Sequence, residues 1–192
     1  MAEKTLDTLF HDTLKDIYYA ERKILKSLPK MVRAAQSPEL KAAFEKHKDQ
    51  TEGQIERLQQ VFEIIGKAPR GKTCDAIEGI LAEGDEIMEE YKDNPALDAG
   101  LLAAAQAVEH YEISRYGTLR AWAEQLGGFG LSHAAFLNDG GQLHHEAGAC
   151  LHAGSLLGRV FNGIPHAGES CGHGVSSLSR SLYRLAASSM SL

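Results

Sequence analysis

The sequence predicts an all-α fold: an up-down helical bundle with one extra short helix, followed by an irregular Gly/Ser/His-rich C-terminal segment. Three observations carry this expectation. Apolar residues before Gly127 recur at spacings of three, four and seven, the period of helices that bury one face. Ser37-Pro38 and Asn94-Pro95 punctuate those stretches as helix starts, each a capping residue followed by proline at the first helical position. The composition then breaks. Residues 128–192 hold 11 of the 19 glycines and six of the nine histidines but no lysine, whereas residues 1–127 hold 23 of the 26 acidic residues. The expected organisation is a helical bundle domain over residues 1–127 and an atypical tail over residues 128–192.

A net charge of −6 offers no basic footprint for nucleic acid or anionic lipid. No apolar run approaches the roughly 18–20 residues that cross a bilayer. The N-terminus, Met-Ala-Glu-Lys-Thr-Leu-Asp, lacks the charged and apolar regions of a secretory leader, and three cysteines argue against a disulfide framework. The expectation is a soluble, cytoplasmic protein that engages neither membrane nor nucleic acid.

The first helix is expected from about Leu6 to Arg33, with the stripe Leu6, Phe10, Leu14, Ile17, Ile24, Leu28 and Met31. At 1.5 Å per residue it is about 40 Å long, a bundle dimension. The second starts at Ser37-Pro38, carries Leu40, Phe44, Ile55, Leu58, Phe62 and Ile65, and stops at Gly66. A shorter third helix runs from about Thr73 to Tyr91 with Ile77, Leu81, Gly84 and Met88 on one side. The fourth is expected to open at Asn94-Pro95 and end at Gly127, with Leu101, Ala105, Val108, Tyr116, Leu119, Ala123 and Leu126 on its inner face.

Three of these stripes turn polar at mid-length. Glu21 falls in the gap between Ile17 and Ile24, His47 lies in the apolar register of the second helix with Thr51 and Gln54, and Glu109 and Glu112 interrupt the fourth. A carboxylate in a bundle interior costs several kcal/mol unless it is protonated, ion-paired or bound to a metal. Antiparallel packing would bring the breaks to one level, and carboxylates from facing helices with a nearby histidine are how bundle cores build two-metal sites. Oxygen donors with some imidazole suit iron or manganese. The candidate metal ligands are therefore Glu21, His47, Glu109 and Glu112.

Plainer readings stand beside this one. Glu21 precedes Arg22 and Lys23 and would be solvated after a small change of packing angle. His47 would equally serve as a core histidine bonded to a carboxylate, and Arg115 or Arg120 would pair with Glu109 or Glu112. His110 lies off the stripe, as a partner for a surface carboxylate or a dimer contact. Tyr18, Tyr19, Tyr111 and Tyr116 read as packing residues, although a tyrosine beside a metal site can bond its ligands. Glu78 reads as surface and Cys74 as an inert thiol at a helix start.

The segments 9–23, 53–58 and 104–119, the last containing Val108-Glu109-His110-Tyr111-Glu112-Ile113, resemble the YciE/YciF-type ferritin-like stress proteins of bacteria over about residues 5–127. The resemblance implies a ferritin-like four-helix core with an extra helix, dimerisation, a di-iron-like site and a link to osmotic and general stress, without a settled activity. By position, the implied site uses Glu21, His47, Glu109 and Glu112. Two departures stand out: Gln50 occupies a position where the family carries glutamate, and nothing after Gly127 matches the family's acidic final helix.

For residues 128–192 three readings are open: a shifted reading frame after about Gly127, a divergent folded tail, or a metal-binding tail built on Cys150-x-His152 and Cys171-x-His173 with His144 and His145. Ser176 to Met190 could form one short amphipathic helix. Without a final bundle helix, the first, second and fourth helices would expose an apolar groove, which favours a homodimer over a monomer. Two functions are thus expected: a stress-response protein with a di-iron or di-manganese carboxylate site, or a non-enzymatic helical structural or interaction protein of the same fold without metal. No substrate is legible.

Overall fold

A computed structural model describes residues 4–127; the expectations for 128–192, including the shifted frame and the cysteine-histidine tail, lie outside the described residues. Four helices follow in order: α1 (Leu6–Ala34), α2 (Pro38–Ile64), α3 (Asp75–Glu90) and α4 (Leu97–Gln125). Consecutive helices run antiparallel, the up-down arrangement. Tyr18 pairs with Gln59 across α1 and α2, while Gln36 meets Asp98 at one end of the α1–α4 contact and Glu21 meets Tyr116 further along. α1 packs against all three other helices.

Local chemistry sets the helix ends. Thr5 caps α1 in a reciprocal box: its side chain accepts from the Thr8 backbone N–H, and the Thr8 hydroxyl receives the Thr5 N–H at 2.8 Å. Ser37 caps α2 by accepting from the Leu40 N–H at 3.1 Å, with Pro38 at the first helical position, as its sequence signature predicts. Gly66 stops the chain past α2 at φ +66°, a left-handed conformation that suits glycine. The connecting loop then folds back on α1. The Lys72 N–H bonds the Lys15 carbonyl, and a Cβ at Gly71 would lie 3.2 Å from the Tyr19 Cα, so glycine permits the close approach.

The fourth helix starts later than the sequence suggests. Asn94 does not cap it. Its side chain accepts from the Ala96 N–H and its carbonyl from the Leu97 N–H, so Asn94-Pro95 makes a turn and α4 begins at Leu97. At the other end Leu126 is exposed rather than on the inner face, because α4 ends at Gln125 and the chain turns through Gly127 at φ +72°.

The core follows the expected stripes. Phe10, Leu14, Ile17, Ile24, Leu28 and Met31 of α1 are buried against Leu40, Phe44, Leu58 and Phe62 of α2 and Leu101, Val108, Tyr116, Leu119 and Ala123 of α4. Aromatic edges lock one end, where Tyr18 and His11 each meet Phe62 in a T-shaped contact. Among the described residues six buried side chains are polar and must be satisfied by other means: Thr13, Glu21, Thr51, Gln54, Asp98 and Glu112.

Candidate metal centre

The mid-helix polar breaks meet, as antiparallel packing predicts. Glu21 is held inward by Ile17 and Ile24, whose positions on the α1 stripe leave it no solvent-facing rotation, and it is 0% exposed. On α4 the spacing of three residues turns Glu109 and Glu112 to one side. Glu112 is deeply buried at 3% side-chain exposure, while Glu109, at 25%, sits at the rim. His47 of α2 lies between them. Its Nδ1 is 3.5 Å from Glu109 Oε1 and its Nε2 3.6 Å from Glu112 Oε2, just beyond hydrogen-bonding range on both sides.

Donor atoms of His47, Glu109 and Glu112 all lie within 4.8 Å of one another. Metal–oxygen and metal–imidazole bonds of about 2.1 Å bring donors to roughly 3–4 Å apart, so a single cation fits with little movement. Glu21 stands outside this triad and joins through Glu112, whose carboxyl it faces closely enough to share a proton. Glu21 Oε1 accepts a 2.6 Å hydrogen bond from the Tyr116 hydroxyl, while its Oε2 is buried without a fixed hydrogen-bond donor.

The electrostatics follow from this arrangement. Burial, and then the charge of Glu112 opposite, hold the Glu21 carboxyl well above the usual carboxylate range, and the Tyr116 hydroxyl works against them. Burial, and then the Glu21 carboxyl that it bonds, keep the Tyr116 hydroxyl protonated, so it remains a donor. Two facing carboxyls in a dry interior are held together by a shared proton or by a cation. Three carboxylates and one imidazole, without a thiolate, make a donor set suited to iron or manganese, and the buried Glu21 Oε2 is an oxygen such an ion would engage. Among the described residues these side chains suit a single ion.

The plainer assignments for neighbouring residues resolve as follows. Arg120 pairs with Glu124 at 3.2 Å, and Arg115 lies over the Tyr111 ring. His110 is exposed and its Nδ1 contacts the Gln106 carbonyl at 2.8 Å. Glu78 takes Lys23 at 2.7 Å and the Tyr19 hydroxyl at the protein surface. Cys74 precedes α3, buried, its thiol 3.1 Å from the Tyr111 hydroxyl. What sequence reasoning left unassigned is the particular role of Tyr116. Its signal was there: it lies one turn beyond Glu112 on the same stripe.

The profile of the family described as Domain of unknown function (DUF892) matches residues 5–138. The chain is 46% identical over 129 residues to Protein YciF of Escherichia coli strain K12, an alignment covering 66% of this chain and 77% of that protein. Among solved structures, the E. coli stress protein YciF superposes with a TM-score of 0.75 at 36% identity, over 84% of this chain and all of that one. YcfI from Rhodopseudomonas palustris does so at 0.70 and 42% identity, over 85% of this chain and 96% of that one. With a family profile spanning most of its length and a helical bundle shared with YciF, the chain belongs to the DUF892 family of YciF-like proteins.

Proposed function

We propose that this is a stress-response protein of the YciF kind whose bundle core holds iron or manganese through Glu21, His47, Glu109 and Glu112. The observation that carries the reading is the pair Glu21 and Glu112, two buried carboxyls placed face to face with the His47 imidazole beside the second. Such a pair is costly in the absence of a cation and favourable around one. His47, Glu109 and Glu112 supply one three-donor position. Glu21 extends the site beyond Glu112, and the partly exposed Glu109 gives it a side open to solvent. A redox-active ion held there supplies one-electron chemistry for iron handling or peroxide removal. The protein's own part is to fix the donors and to shield them with Ile17, Ile24 and Val108.

Elemental analysis of untagged protein, after supply of ferrous or manganous ion, tests this. The expected result is one to two ions per chain in the wild type, lost in Glu109→Ala and retained when Cys150 and Cys171 are both replaced. Retention in Glu109→Ala with loss in the cysteine variant would move the metal to the tail. A metal-free wild type would favour the second reading, a non-enzymatic structural or interaction protein of the same fold. That reading draws on the Tyr116 bond, on the proton that Glu21 and Glu112 can share, and on Gln50 in place of a carboxylate. In either case we take the working unit to be a homodimer, for which the exposed apolar Leu9 and Ile64 offer support and sedimentation equilibrium the check.

A further inference from the structure

We propose that Tyr116 is a positioning residue that sets which cation the core accepts, by holding Glu21 to a single available oxygen. The inference rests on the metal reading above and goes beyond it to selectivity. Tyr116 is buried on α4 one turn past Glu112, and its hydroxyl crosses to α1 to donate to Glu21 Oε1 at 2.6 Å. That length lies toward the short end of O–H···O hydrogen bonds. Glu21 Oε2 is left as the buried oxygen without a fixed donor.

The chemistry of the two candidate classes of ion then diverges. Calcium takes six to eight oxygens, often with carboxylates binding through both oxygens, and has no use for imidazole. Manganous and ferrous ions accept fewer donors and include nitrogen readily. With Oε1 engaged by Tyr116, Glu21 offers one oxygen, and the donor set becomes poor in oxygen and imidazole-containing, fitted to a first-row transition ion. Replacing Tyr116 by phenylalanine releases Oε1, which restores two-oxygen binding by Glu21 and loosens its orientation.

The test is calorimetric titration of manganous and calcium ions, separately, into the full-length wild type and Tyr116→Phe, with thermal melting of the metal-free proteins as the folding control. Visible absorption of added cobaltous ion reports the coordination in each. The wild type is expected to prefer manganese strongly. Tyr116→Phe is expected to bind manganese 10–100-fold more weakly, the range for losing a hydrogen bond that orients a ligand, to narrow the manganese-to-calcium ratio at least tenfold, and to change the cobalt spectrum. Tyr116→Met, long and without a hydroxyl, replaces it should the phenylalanine variant fail to fold. A ratio unchanged in a folded variant, including equal weakening of both ions, overturns the inference while leaving the metal site standing. A wild type that binds calcium as well as manganese also overturns it, and one that binds neither removes the metal reading and the inference together.

Discussion

Two places in this bundle bury a carboxylate, and they treat it in opposite ways. Asp98, on the first turn of α4, is 5% exposed, and both its oxygens are used: Oδ1 accepts from the Gln36 N–H and Oδ2 from the Ser37 N–H, each at 2.7 Å. Those amides lead into α2, where the helix dipole also favours an anion. At mid-bundle Glu21 meets one hydroxyl and a second carboxyl, with an oxygen left over. Burial alone therefore says little about role. The first carboxylate is a finished structural joint between the α1–α2 turn and α4, while the second keeps one buried oxygen, Oε2, outside any fixed hydrogen bond.

The contrast can be broken or sharpened by substitution. The largest effect is expected at the finished joint. Asp98→Ala strips two buried amides of a charged acceptor and should destabilise the protein by about 3 kcal/mol in denaturant unfolding. A loss under about 0.5 kcal/mol would erase the distinction between the two carboxylates. Glu21→Gln should go the other way, leaving the metal-free protein equally stable or more stable, because it removes a repulsion without removing an acceptor for Tyr116.

That variant also carries a pH signature. The Glu21 carboxyl in the folded state sits above its ordinary value of 4.5, so folding favours its protonated form. Its stabilising share is intact below about 4.5 and is lost as pH rises through the raised value. Metal-free wild type should therefore lose stability across that window relative to Glu21→Gln, which thermal melts over a pH series would record. Parallel curves would mean that the Glu21–Glu112 repulsion is relieved in some other way. The smallest effect on folding is expected at the rim: Glu109→Gln should change metal-free stability by no more than about 0.5 kcal/mol while weakening manganese binding in the titration.

Much of this was readable from residue spacing. The α1 stripe, the Ser37-Pro38 start of α2 and the inward position of Glu21 all follow from helical period and capping chemistry, which act within a few residues. The errors mark where neighbours in space take over. Asn94-Pro95 looked like a helix start, yet the asparagine side chain closes a turn with Ala96, a choice between two local hydrogen bonds that sequence alone does not decide. Glu109 and Glu112 read as equals on one stripe. A difference of three residues on a helix that meets α1 on one side leaves one near the rim and the other in the interior. The Tyr116–Glu21 bond joins residues 95 apart, and no spacing rule reaches that far.

α1 with α2, and α3 with α4, are hairpins whose partners lie close in sequence, but the cluster takes Glu21 and His47 from one and Glu109 and Glu112 from the other. Contacts near in sequence form fast, and closing a long loop is entropically slower. The two facing carboxyls thus sit where the hairpins meet, so the cost of burying them falls on the docking of the halves and not on the forming of either. An ion bound as proposed would span this junction and act as a latch: it would slow separation of the hairpins while leaving the speed at which each one forms unchanged.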